Sequence, residues 1–166
     1  MTKLGNKILV IGSPGAGKSY FSIKLNEKLH YPLFHLDEYY WKPNWVRESN
    51  EEFLPKLEEM LNNDHFIIDG CYLTTLEKRI ISADTIIFLD IDPSICVDSE
   101  IKRSKTNRIG FPTYLKEKHD PEFIKWIKDF PLIQKPKILD FKKKYNNKQW
   151  IIFKTRNESE EFIKTL

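Results

Sequence analysis

Residues 12–20 read GSPGAGKSY and follow directly on the apolar run Ile8, Leu9, Val10, Ile11. Gly12, Gly17, Lys18 and Ser19 meet the spacing G-x-x-x-x-G-K-[ST], the pattern of a loop whose backbone N–H groups converge on phosphate oxygens. Glycine is needed there for backbone reasons. A chain wrapped around an anion passes through dihedrals that a Cβ forbids, and it has to approach the ligand closely. In such a loop the lysine reaches the β- and γ-phosphates as a point charge, and the serine hydroxyl joins the shell of a Mg²⁺ ion. The candidate ATP-binding residues are therefore Gly12, Ser13, Pro14, Gly15, Ala16, Gly17, Lys18, Ser19 and Tyr20, with Lys18 also catalytic and Ser19 a metal ligand.

The motif requires a strand before it and a helix after it, and the chain supplies both. Short apolar, β-branched or aromatic runs predict strands over residues 7–11, 33–36, 65–68, 85–91 and 149–153. Between them lie helical patterns at 18–29, 50–61, 74–81 and 93–105. Strands that read as continuous apolar runs are buried on both faces, and their alternation with helices implies βαβ units and a parallel sheet. In such sheets ligands sit outside the carboxyl ends of the strands. Residues 107–119 are polar, carry Gly110 and Pro112, and break the alternation, which marks them as a lid. Two aromatic- and lysine-rich helices, 121–130 and 132–145, are expected to follow, divided by Pro131.

At 166 residues and 40% hydrophobic content, the chain supports one well-buried core, hence a single domain. The net charge is +3 without a block of five or six like charges, so no basic arm points to nucleic acid, and mild basicity suits polyanionic small molecules. Cys71 and Cys96 are too few for a zinc ribbon or a disulfide framework, which fits a reducing compartment. No stretch approaches eighteen consecutive apolar residues. A soluble cytoplasmic protein without a membrane segment is expected.

The strand ends carry the remaining candidates. Asp37 follows the second strand within HLDEYYWKPNW and is placed to accept a hydrogen bond from an attacking hydroxyl, or to hold metal-bound water; a turn or N-cap role is its alternative. Tyr39, Tyr40, Trp41 and Trp45 would wall a pocket for a planar ring, or pack in the core or lid. His35 reads as a core-facing strand residue. Asp69, ending FIIDG, has the form of a Walker B carboxylate, a second ligand for Mg²⁺. Asp92, before Pro93, reads as a helix N-cap. Arg103 and Arg108 flank the lid, where guanidinium forks would close over a transferring phosphoryl group. Gly70, Tyr72, Arg79 and Arg47, with Asp37, Tyr40 and Trp41, make up the candidate acceptor set.

With these residues in order, the chain resembles the P-loop nucleotide kinases related to adenylate kinase, and among them the small topology-modulation proteins. The resemblance rests on GSPGAGKS, HLDEYYWKPNW, IIDGCY followed by TLEKR, ADTIIFLD, FIKWIKDFP and the final FKTRNE, and it spans nearly the whole chain. It implies an α/β three-layer P-loop NTPase fold with a five-stranded parallel sheet and a short helical lid. It also implies ATP and Mg²⁺ as cofactors and Thr155 and Arg156 beside the adenine. Adenylate kinases follow their Asp-Gly with a proline and then an arginine for the acceptor phosphate, whereas this chain has Gly70-Cys71-Tyr72-Leu73. ATP binding thus carries over and AMP as acceptor does not. The leading expectation is ATP- and Mg²⁺-dependent phosphoryl transfer to a nucleotide or another small acceptor. The alternative is a nucleotide-binding regulatory ATPase that affects DNA topology, touching nucleic acid through lysines such as Lys142, Lys143 and Lys144, although a solvated helix face explains that triple more simply.

Overall fold

In the computed structural model, which describes residues 3–103 and 120–166, the chain begins β1 (Lys7–Gly12), α1 (Lys18–Leu29), β2 (Leu33–His35), α2 (Leu36–Tyr40), β3 (Trp41–Lys42), β4 (Val46–Arg47) and α3 (Asn50–Leu61). It continues β5 (Phe66–Asp69), α4 (Leu73–Ser82), β6 (Thr85–Leu89), α5 (Pro93–Arg103), α6 (Pro121–Lys144), β7 (Gln149–Phe153) and α7 (Arg156–Lys164). Five strands form one parallel sheet in the order β2-β5-β1-β6-β7, as the alternation of strand and helix signals implied. Parallel strands need covered crossovers, so both faces of the sheet are buried.

The period of two along β1 divides the core. Leu9 and Ile11 face one apolar layer with Leu57, Leu76, Ile80 and Ile138, whereas Ile8 and Val10 face the other with Phe21, Leu25, Cys96 and Ile163. The first layer is closed by α3, α4 and α6 and the second by α1, α5 and α7, which makes three layers. Because all five strands run the same way, their carboxyl ends meet on one edge. The loops after β1, β2 and β5 share that edge.

Several local expectations are corrected. β2 ends at His35, and Leu36–Tyr40 turns into the short α2, after which β3 and β4 form a small antiparallel hairpin. In the hairpin turn Asn44 and Trp45 both have left-handed backbones, φ 61° and 59°. Pro131 does not divide two helices: α6 runs unbroken from Pro121 to Lys144 with Pro131 and Pro136 inside it. Each proline removes one i→i−4 hydrogen bond, and the burial of Ile127, Phe130 and Ile138 along the same helix outweighs that loss. α7 was not expected from the sequence, yet Thr155 and Glu158 form a reciprocal capping box at its start. The lid expected over 107–119, with Arg108, lies outside the described residues.

Candidate active site

Three of the helices begin in different chemical settings. α3 and α7 open with capping boxes, Ser49 with Glu52 and Thr155 with Glu158, so their first N–H groups are satisfied by side chains. α1 opens after Gly17, which is left-handed at φ 95°, with no side-chain cap and no acidic residue in its first turn. Its orphan N–H groups and the positive end of its dipole are therefore presented to the cleft, the arrangement that holds phosphate. The loop before it is wound tightly. Gly15 sits at φ 78°, and a Cβ there would lie 2.2 Å from the carbonyl oxygen of Cys96. Lys18 Nζ donates to the Ser13 carbonyl at 2.9 Å, which folds the ammonium over the loop it is expected to serve.

Beside the loop stands a buried ion-pair geometry across neighbouring strands. His35 Nδ1 and Asp69 Oδ2 are 2.6 Å apart, and both side chains are nearly inaccessible. Burial lowers the His35 pKa, but the hydrogen bond and charge of Asp69, helped by Glu38 and Asp37, more than reverse this and leave it raised. The sequence placed His35 in the core correctly but supplied no partner. The partner comes from register, since β2 pairs with β5 so that His35 lies opposite Asp69.

A second relay fixes Asp37. The Tyr72 hydroxyl donates to Asp37 Oδ1 and itself accepts from Trp41 Nε1 at 3.1 Å. Burial and the adjacent Asp37 carboxylate push the Tyr72 phenol well above its ordinary pKa, so it remains a donor. Gly70 has φ 133°, and a Cβ there would meet Leu36 Cβ at 3.0 Å, so the turn after β5 demands glycine. Under this turn lies Arg79, fully buried, with Nη1 donating to the Gly70 carbonyl and Nη2 to the Tyr72 carbonyl, each at 2.8 Å. Burial pushes its pKa down to about 10, with Cys71, Tyr72 and Asp69 acting the other way.

These groups open into one cleft of about 620 Å³, within the range of small-molecule sites. Of the expected residues it brings together Gly12, Pro14, Gly15, Gly17, Lys18, Ser19, Asp37, Tyr40, Trp41, Trp45, Asp69, Gly70, Tyr72 and Arg103. Others stand elsewhere. Ser13 and Ala16 are buried in the body of the loop, and Tyr20 is 54% exposed on the outside of α1. Arg79 braces the turn from below, and Arg47 lies over the Tyr40 ring at 5.2 Å, outside the cleft wall. Thr155 caps α7, while Arg156 Nη2 donates to the Gly15 carbonyl from beyond the cleft lining. Asp92 caps α5, its carboxylate accepting from the Ser94 N–H at 2.8 Å.

The cleft also contains residues that were not foreseen: Cys71, Glu100, Asp120, Phe123, Trp126 and Gln134. Glu100 is buried and accepts from Arg103 Nη1 at 3.3 Å, which orients that arginine at the end of α5. Phe123 and Trp126 lie three residues apart on α6. That spacing puts both on one face of a helix and was readable, but not which face of the sheet the helix would reach.

For a Mg²⁺ ion the donor set is suitable. Ser19 and Asp69 offer hard oxygen ligands in one cleft, and Mg²⁺ commonly takes one or two protein ligands with phosphate oxygens and water completing the shell. Among the described residues no three His, Cys, Asp or Glu side chains form a metal cage by themselves. None of the described helices is long and apolar enough to cross a membrane.

No protein-family model matches the chain, and no curated protein matches it significantly. Solved structures do. Shikimate kinase from Acinetobacter baumannii in complex with shikimate superimposes with a TM-score of 0.67 at 13% identity, covering 97% of this chain and 90% of that one. A gluconokinase from Sinorhizobium meliloti gives 0.58 at 13% identity, covering 98% and 90%. Deoxyadenosine kinase from M. mycoides with bound dATP gives 0.55 at 14% identity, covering 95% and 97%. At such identities the likeness establishes the fold, which is that of the P-loop kinases.

Proposed function

We propose that this chain is a phosphotransferase that moves the terminal phosphoryl group of ATP to the hydroxyl of a small acceptor. The observation that carries the reading is one cleft holding both an uncapped, glycine-wound helix start with Lys18 and Ser19, and a carboxylate, Asp37, fixed by its own relay. Phosphoryl transfer asks the protein mainly for positioning and charge stabilisation. Lys18 and the amides of the loop bind the β- and γ-phosphates. Arg103, held by Glu100, supplies a guanidinium to the phosphoryl oxygens, joined by Arg108. Asp37 orients the acceptor hydroxyl and takes its proton. Ser19 and Asp69 would hold Mg²⁺, which when bound neutralises charge developing between the β- and γ-phosphates. His35 keeps Asp69 in one orientation.

The fold shared with kinases whose structures hold shikimate or dATP supports the reaction class. Sequence motifs further favour kinship with the adenylate-kinase-related and topology-modulation proteins. Two free cysteines and a need for ATP suit the reducing, nucleotide-rich cytoplasm. The test is ATP consumption with a panel of small hydroxyl compounds, set beside consumption with added DNA. Acceptor-dependent ADP formation, lost in Lys18→Ala, supports the reading; stimulation by DNA alone overturns it in favour of a regulatory ATPase.

A further inference from the structure

The acceptor half of the cleft has a distinct composition. Tyr40, Trp41, Trp45 and Tyr72 line it from α2, the hairpin and the turn after β5, and Phe123 and Trp126 line it from α6. The Tyr40 and Tyr72 rings are 4.1 Å apart, and Phe123 and Trp126 are nearly parallel, 5° between planes. Phe123 and Trp126 are 36% and 38% exposed, so their apolar faces are presented at the cleft instead of being spent in the core. Trp45 adds an independent sign. It occupies a left-handed backbone, φ 59°, which glycine or asparagine adopts readily and a bulky side chain does not. The turn alone would be better served by glycine; what tryptophan adds is a ring on the cleft wall, 5.5 Å from that of Trp41.

Charge points the same way. Among the described residues the cations lining the cleft are Lys18, in the phosphate loop, and Arg103, beside Glu100. Arg79 is occupied beneath the turn and Arg47 is outside the wall. Near the rings stand Asp37, on the Tyr72 hydroxyl, and Asp120, at the start of the helix that carries Phe123 and Trp126. Among the described residues, an acceptor bearing a phosphate or carboxylate would meet aromatic faces and carboxylates there, whereas a flat neutral ring would stack.

We propose that the acceptor is an uncharged molecule with a flat heteroaromatic ring and a primary hydroxyl, that is, a nucleoside and not a nucleotide or an anionic alcohol. This rests on the phosphotransferase reading and names its substrate class. The hydroxyl oxygen attacks the γ-phosphorus of ATP, the bond from that phosphorus to the β–γ bridging oxygen breaks, and ADP leaves with the electron pair. The hydroxyl proton passes to Asp37, whose Oδ1 is fixed by Tyr72.

The experiment offers the protein ATP and Mg²⁺ with nucleosides, their 5′-monophosphates, shikimate, gluconate and choline. Product is identified by mass spectrometry, and binding is followed by quenching of tryptophan fluorescence. Nucleosides are expected to be converted to monophosphates with kcat/KM at least about tenfold above every other compound. Trp45→Gly is expected to keep the stabilisation by ATP and to raise the nucleoside KM about tenfold through loss of one stacking face. A preference for monophosphates, for the anionic alcohols or for choline overturns the inference and leaves the phosphotransferase reading standing. So does an unchanged KM in Trp45→Gly. If ATP binds but none of the compounds is phosphorylated, the nucleoside inference is overturned, and the phosphotransferase reading then stands or falls on the wider panel of small hydroxyl compounds.

Discussion

Burying a guanidinium is costly, and Arg79 has no exposed surface at all, so the return has to be sought in what its two hydrogen bonds hold. They fix the carbonyls of Gly70 and Tyr72, and Tyr72 fixes Asp37. Arg79→Met removes the Arg79 donor from the buried Gly70 carbonyl, while the Tyr72 carbonyl keeps the Thr75 N–H, and is expected to cost about 1–3 kcal/mol in urea denaturation. It should also raise the acceptor KM while leaving ATP affinity in the folded protein near normal. Unchanged stability would show that the turn holds itself. From the sequence this residue reads as an acceptor contact, because an arginine after an aspartate motif suits phosphate. Yet Leu76, Arg79 and Ile80 share one face at helical spacing, and that face is buried. The local pattern was legible, whereas the partner carbonyls were not, since they depend on how the turn folds back over α4. His35 makes the same point. Its place in the second strand marked it as core-facing, but only the β2–β5 register pairs it with Asp69.

At the scale of elements, the five sheet strands and their crossover helices were readable because each carries its own periodicity, and the phosphate loop because its spacing is its own signal. The stretch from Leu36 to Arg47 was not. Its α2 is five residues and its strands are two residues each, too short for any period to show, and they are set by packing of Tyr40 against Phe53 and Tyr72. The hairpin is tied to α3 by Lys42, whose Nζ lies 2.7 Å from Glu52, the same residue that closes the capping box with Ser49. The Lys42 hydrogen bond, followed by those from Ser49, lowers the Glu52 pKa to about 2. A carboxylate with a depressed folded pKa stabilises the fold above its unfolded pKa and loses that contribution as pH falls through the folded value. Glu52→Gln is therefore expected to lower the Tm modestly at pH 7, and the difference from the parent protein should shrink as pH falls from about 4.5 toward about 2. Thermal melts of the pair across that window read it directly. A difference that does not change with pH would assign the effect to the amide's poorer capping and not to the charge.

At the scale of the whole molecule, the site is a property of the sheet's carboxyl edge and not of any one element. Residues from the ends of β1, β2 and β5 and from α5 and α6 meet only when the fold is complete. Ligand binding and global stability are therefore coupled, because an unfolded chain has no such edge and binds nothing there. ATP with Mg²⁺ at about one hundred times its Kd is expected to add about 2.7 kcal/mol, which for a chain of this size raises the Tm by about 5–10 °C. Lys18→Ala separates this coupling from the fold. In the free protein Lys18 donates to the Ser13 carbonyl and is only partly buried, so its removal should leave the unliganded Tm within about 2 °C of the parent. The variant should then show almost no rise with the same nucleotide, since the charge that meets the β- and γ-phosphates is gone. Differential scanning fluorimetry on both proteins, with and without nucleotide, gives the comparison. Equal shifts in parent and variant would place the nucleotide away from the loop at residues 12–19, and with it would fall the assignment of Ser19 and Asp69 to the metal and of Asp37 to the acceptor.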